Sequence, residues 1–126
     1  MMVMDAYDRA DEQGNSVRWE CDADFVRIVV GGVLTDATAS TAREMLVDAC
    51  ERRAKGIVLT IDAELDPLNP TVLGLLMDMA QRRCWAASRH LEVTATNPNV
   101  CEALAAMGIW PAPEPRPLRT APAQRS

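Results

Sequence analysis

The chain has 126 residues, 48% apolar and 25% charged, a size and balance that fit one globular domain able to bury about two-thirds of its unfolded surface. No run of about 18 apolar residues is present, so no transmembrane helix is expected, and the acidic start (Asp5, Asp8, Asp11, Glu12) is the opposite of a basic signal peptide, which makes the cytoplasm the expected location. The net charge of −5 is concentrated in residues 1–24, and the rest carries no basic stripe, which argues against a nucleic-acid partner.

Residues 1–15 are polar and acidic and read as a mobile N-terminal extension. Val17 to Glu20 alternates apolar and polar residues, as a half-buried strand does. Phe25 to Val30 is more continuously apolar, which predicts a central strand, and Gly31-Gly32 closes it. A first helix is predicted from Ala37 or Thr38 to Arg53. Ala39, Ala42, Leu46, Ala49 and Cys50 recur on one face, Asp36 suits the N-cap, and Gly56 stops the helix. Ile57 to Asp62 is a third strand, and Ala63 to Leu68 a loop.

The second helix is predicted to begin near Pro70, with Asn69 as its cap and Pro70 as its first residue. Leu73, Leu76, Met77, Ala80 and Cys84 form its core face. Val72, Leu75 and Met79 form a second apolar stripe, which is either packed within the domain or turned toward a partner. Leu91 to Ala95 is a short fourth strand. Asn97-Pro98 repeats the cap pattern and opens a third helix lined by Val100, Leu104 and Met107 and closed by Gly108. Five prolines between 111 and 122 predict an extended, disordered tail over 111–126. The order β-β-α-β-α-β-α over residues 16–110 predicts an α/β domain, with a mainly parallel mixed sheet and crossover helices.

Sites of chemistry are few. Cys21, Cys50, Cys84 and Cys101 contain no C-x-x-C pair and His90 is the sole histidine, so no metal site is expected and free thiols or a regulatory disulfide remain. Asp62, Glu64 and Asp66 read as a solvated acidic loop rather than a Mg²⁺ or acid–base site. Gly31-Gly32 lacks a phosphate-binding pattern, no nucleophile elbow exists, and His90 suits a surface role. No catalytic residue, cofactor or metal is assigned, and the chain reads as a non-enzyme.

Three segments resemble STAS domains, the fold of bacterial anti-sigma factor antagonists. Gly32-Val33-Leu34-Thr35-Asp36 looks like the family's approach to its first helix. Asn97-Pro98-Asn99-Val100 through Leu104 to Met107-Gly108-Ile109 looks like its closing helix. Ile57 to Leu76 looks like the strand, switch loop and helix where the family reads Asp-Ser-Ser-Gly-Leu-x-x-Leu. Leu73 and Leu76 fit that motif, but Asn69 stands at the Asp, Pro70 at the phosphorylated Ser, Thr71 at the next residue and Val72 at the Gly. The resemblance implies docking onto an anti-sigma factor, kinase-like or otherwise, or onto another STAS protein, without the usual serine switch. The partner-binding residues it implies are Asp36, Thr71, Val72, Leu75 and Met79. A homodimer, and a small-ligand module for nucleotide or lipid, are the alternatives.

Overall fold

The computed structural model describes residues 6–10, 15–21, 24–52 and 55–111. Its elements are β1 (Ala6–Ala10), β2 (Ser16–Cys21), β3 (Phe25–Leu34), α1 (Asp36–Glu51), β4 (Gly56–Leu65), α2 (Val72–Ala86), β5 (His90–Ala95) and α3 (Pro98–Ala106). From β2 onward the order is the one the sequence predicts. The addition is β1, which lies within the stretch read as an extension and pairs antiparallel with β2 from Ala6↔Glu20 to Ala10↔Ser16. The expected tail lies outside the described residues beyond Pro111.

The five strands pair in sequence order. β1–β2 and β2–β3 are antiparallel; β3–β4 and β4–β5 are parallel. With β1 included, the sheet is evenly mixed rather than mainly parallel. Both crossovers step in the same direction, so right-handed connections place α1 and α2 on one face of the sheet. Side-chain burial agrees. Val26, Ile28 and Val30 of β3 and Ile57, Leu59, Ile61 and Ala63 of β4 join Ala42, Leu46, Leu73, Met77 and Ala80 in one buried cluster. Alternation sends Val58 and Thr60 to the opposite face, where they are also buried, and the Thr94 hydroxyl donates to that of Thr60 at 2.8 Å.

β3 and β4 are each longer than the apolar runs that announce them. All ten residues pair, from Phe25↔Gly56 to Leu34↔Leu65. Gly31-Gly32 therefore lies inside β3, and Asp62 and Glu64 belong to β4 rather than to a loop. Gly56 opens β4 instead of stopping α1, which ends at Glu51. A Cβ at position 56 would lie 2.8 Å from the Phe25 ring, so a larger residue there would force that ring to shift.

α1 is capped one residue earlier than predicted. The Thr35 hydroxyl accepts from the Thr38 N–H at 3.1 Å, which leaves Asp36 as an acid in the first turn, where it complements the helix dipole. α3 starts as predicted: Asn97 Oδ1 accepts from the N–H groups of Asn99 and Val100, and Pro98 is the first helical residue. It ends at Gly108, whose φ of +82° is open to glycine and lets the Ile109 N–H reach the Leu104 carbonyl. Val100 and Leu104 are fully buried, whereas Met107, predicted on the same face, is exposed just past the helix end.

Candidate functional site

The turn before α2 and the start of α1 come together although they lie 33 residues apart. Asn69 Nδ2 donates to Asp36 Oδ2 at 2.9 Å, and the Thr71 hydroxyl donates to Asn69 Oδ1 at 3.4 Å. The Asn69 amide thus joins two residues that the resemblance implies as partner-binding. Spent in this way, it does not cap α2. The helix begins at Val72, two residues later than predicted, and Thr71 supplies no side-chain cap. Turn bonds from Asn69 N–H to Asp66 and from Val72 N–H to Asn69 hold the approach. Pro70 and Thr71 are both exposed.

Beside this bridge, the first halves of α1 and α2 enclose a half-open groove of about 290 Å³. Asp36, Ser40 and Arg43 line its α1 side, and Val72, Leu75 and Leu76 its α2 side. The α1 residues recur at spacings of four and three, so they share one helical face next to the core stripe. Ser40 and Arg43 were missed by the sequence reading, and this polar flank of the core stripe is the signal that was available.

The proposed outward stripe of α2 divides. Leu75 is 66% exposed, a large apolar side chain facing solvent over the groove. Val72 is only 2% exposed and belongs to the core, and Met79 is half-buried against it. Neither reading of the stripe holds for all three residues, and the partner-facing one is corrected at Val72, which is core. Steps of three and four residues keep side chains within one broad face, and Val72, at the first turn, lies beside Leu73 and Leu76 where α2 meets α1 and the sheet. Leu68, 92% exposed in the preceding turn, was not singled out from sequence.

The other sequence candidates do not converge on a site. Asp62 accepts from the Thr96 hydroxyl, and Asp66 accepts from the Leu68 N–H in a local turn. No group of three metal-ligating side chains exists among the described residues, and none of their helices is long and apolar enough to cross a membrane. His90 is exposed at the start of β5, and the cysteines are free thiols.

No family model matches the chain, and neither does any curated protein. Among solved structures, the chain is similar to the anti-sigma factor antagonist SpoIIAA in its unphosphorylated form. The TM-score is 0.54 at 14% sequence identity, over 74% of this chain and 81% of that one. The chain has a STAS-like fold.

Proposed function

We propose that this chain is a non-enzymatic interaction domain of the anti-sigma factor antagonist type, acting in the cytoplasm in partner switching. It docks a protein partner on the α1–α2 groove and the Asn69–Thr71 turn. The partner class is an anti-sigma factor, kinase-like or not, or another protein of the same fold. The observation that carries this reading is the exposed Leu75 beside the Asp36–Asn69–Thr71 bridge. An apolar anchor with a polar rim is the usual anatomy of a docking patch. It lies where the resemblance to STAS domains places their switch loop and binding helix.

Docking here is constitutive. Pro70 has no hydroxyl to phosphorylate. Among positions 69–72 only Thr71 carries a hydroxyl, and it is engaged with Asn69 and lies one residue along from Pro70. A nucleotide or lipid module would call for an enclosed apolar cavity. The half-open groove with Asp36 and Arg43 on its wall suits a protein surface better.

The test is Leu75→Glu. An exposed helical site tolerates Glu, so melting followed by circular dichroism should stay within about 0.5 kcal/mol of the native chain. The same change buries an unpaired charge in the complex and should abolish capture of an anti-sigma factor or STAS-fold protein by the tagged chain. A variant that folds and still captures that partner places the interface elsewhere. Phosphate on Thr71 after incubation with a captured kinase and ATP overturns constitutive docking.

A further inference from the structure

The sheet ends at β5, and that edge is open. β5 is the last strand in the order and pairs with β4 alone, in parallel, from Gly56↔His90 to Ile61↔Ala95. The His90 N–H donates toward this neighbour, to the Lys55 carbonyl at 3.2 Å. In a parallel pair the residues bonded to one neighbour alternate, so His90, Glu92 and Thr94 turn their backbone groups to β4. Leu91 and Val93 turn theirs to the open side. Among the described residues, no backbone bond from outside the β4–β5 pair reaches Leu91 or Val93. Such an edge is a template for one more strand.

A cleft of about 340 Å³ runs along this edge. It is lined by residues 90–93 of β5, by Gln81 of α2 and by residues 108–110 after α3. Two indoles flank it. Trp110 lines the cleft and is 79% exposed. Trp85 is 85% exposed and lies one turn on from Gln81 on the same face of α2, close to where that helix leads into β5. No Lys or Arg lines the cleft, and Glu92 is its one carboxylate. Tryptophans in a charge-poor surface are the composition of an interface centre rather than of ordinary surface.

We propose that this face binds a second copy of the chain, with the two β5 edges antiparallel about a two-fold axis. A two-fold sets one patch against itself, so a single surface supplies both halves of the interface. Leu91 and Val93 of each copy exchange backbone bonds across the edge, which joins the two sheets into one. Trp85 and Trp110 of each copy are covered at its flanks. Each indole buries about 150–250 Å², so the four together supply about 600–1,000 Å² of the roughly 1,000 Å² that a specific interface must clear. The absence of Lys and Arg from the cleft also limits the like-charge repulsion that self-pairing would otherwise create. The groove stays accessible in this dimer. Leu75 and Trp85 are ten residues apart on α2, which separates them by about 15 Å along the axis. The dimer thus presents two grooves.

The test is sedimentation of the full chain at pH 7.5, with a reducing agent to keep the free thiols from linking copies. Between about 2 and 200 μM the mass should rise toward twice 13.8 kDa. Trp85→Lys and Trp110→Lys change exposed side chains and should keep the native circular dichroism spectrum. Each should raise the dimer dissociation constant about tenfold or more, and the double variant should stay monomeric. Leu75→Glu should leave dimerisation unchanged, which separates this interface from the groove. Amide exchange of the peptide holding Leu91 and Val93 should slow at the high concentration in the native chain and not in the double variant. Four outcomes overturn the proposal: a native chain that is monomeric throughout, a dimer indifferent to both tryptophan changes, a dimer lost in Leu75→Glu, or a dimer that leaves exchange in β5 unchanged.

Discussion

Asn69-Pro70 and Asn97-Pro98 are the same dipeptide before an apolar helix, and the fold uses them differently. Asn97 turns its side-chain oxygen onto the N–H groups of Asn99 (2.8 Å) and Val100 (3.4 Å), and α3 begins immediately at Pro98. Asn69 turns its amide to Asp36 instead, and α2 begins late and without a side-chain cap. The cause is one helix away. Thr35 caps α1, so the Asp36 carboxylate is free to compete for the Asn69 amide. Cap chemistry states which side chain is able to satisfy a helix start, and a tertiary partner decides whether it does so. The capped helix start serves stability, and the diverted one fixes the geometry of a surface turn.

The largest effect should come from the helix that the capped start supports. α3 has nine residues and is held by Val100 and Leu104, both fully buried. Leu104→Ala should cost about 2–5 kcal/mol in chemical denaturation. A cost below about 1 kcal/mol would mean that α3 does not anchor to the core and that its cap serves no packed helix.

Next in size is the comparison itself. Asn97→Ala removes two cap bonds and should cost about 1 kcal/mol. Asn69→Ala removes an exposed side-chain bridge and should cost less than about 0.5 kcal/mol. Equal losses at the two positions would show that Asn69 caps α2 in solution and that the Asp36 bridge is incidental.

The uncapped start of α2 also contains Gly74, which has no atom within 4 Å of where a Cβ would stand. Gly74→Ala should therefore raise stability by about 0.5–1 kcal/mol, read as a higher denaturation midpoint with unchanged slope. A loss of stability would show that this turn depends on glycine in a way its open surroundings do not reveal.

These contrasts also mark what the sequence made legible. Strong periodicity carried the core. Leu73, Leu76, Met77, Ala80 and Cys84 were predicted on one face and are all buried, and the element order from β2 to α3 follows from alternating strand and helix patterns. Local chemistry failed where a distant group intervened, as at Asn69 and Asp36. It also failed where pairing extended a strand beyond its apolar run. Asp62 and Glu64 sit in β4 because β3 offers partners to its full length. β1 was invisible because Ala6–Ala10 contains Asp8 and Arg9 and no apolar run. At the candidate site, the resemblance located Asp36, Asn69 and Thr71, but exposure is a property of the packed helices. Val72 and Leu75 look alike in sequence, and only the α1–α2 contact separates core from surface.

The most specific expected effect, of similar small size, concerns the bridge alone. Asn69 Nδ2 donates to the Asp36 carboxylate. Asn69→Asp removes that donor and sets a second carboxylate against the first. At neutral pH both are charged, and exposed like charges at this separation should cost about 0.5 kcal/mol in low salt. The sign of the pH dependence follows from proton binding. Crowding two carboxylates in the folded state favours proton uptake there relative to the unfolded chain, so the variant's stability falls as pH rises through the carboxylate range. The gap from the native chain should therefore narrow near pH 3 and widen by pH 7, and about 0.5 M salt should shrink it at pH 7 by screening. Asn69→Ala, which adds no charge, should show neither trend. Denaturation of the three chains at both pH values and two salt concentrations checks this. An Asn69→Asp gap that is independent of pH and salt would mean that the two side chains do not meet, and the bridge joining the α2 turn to α1 would be lost from the account.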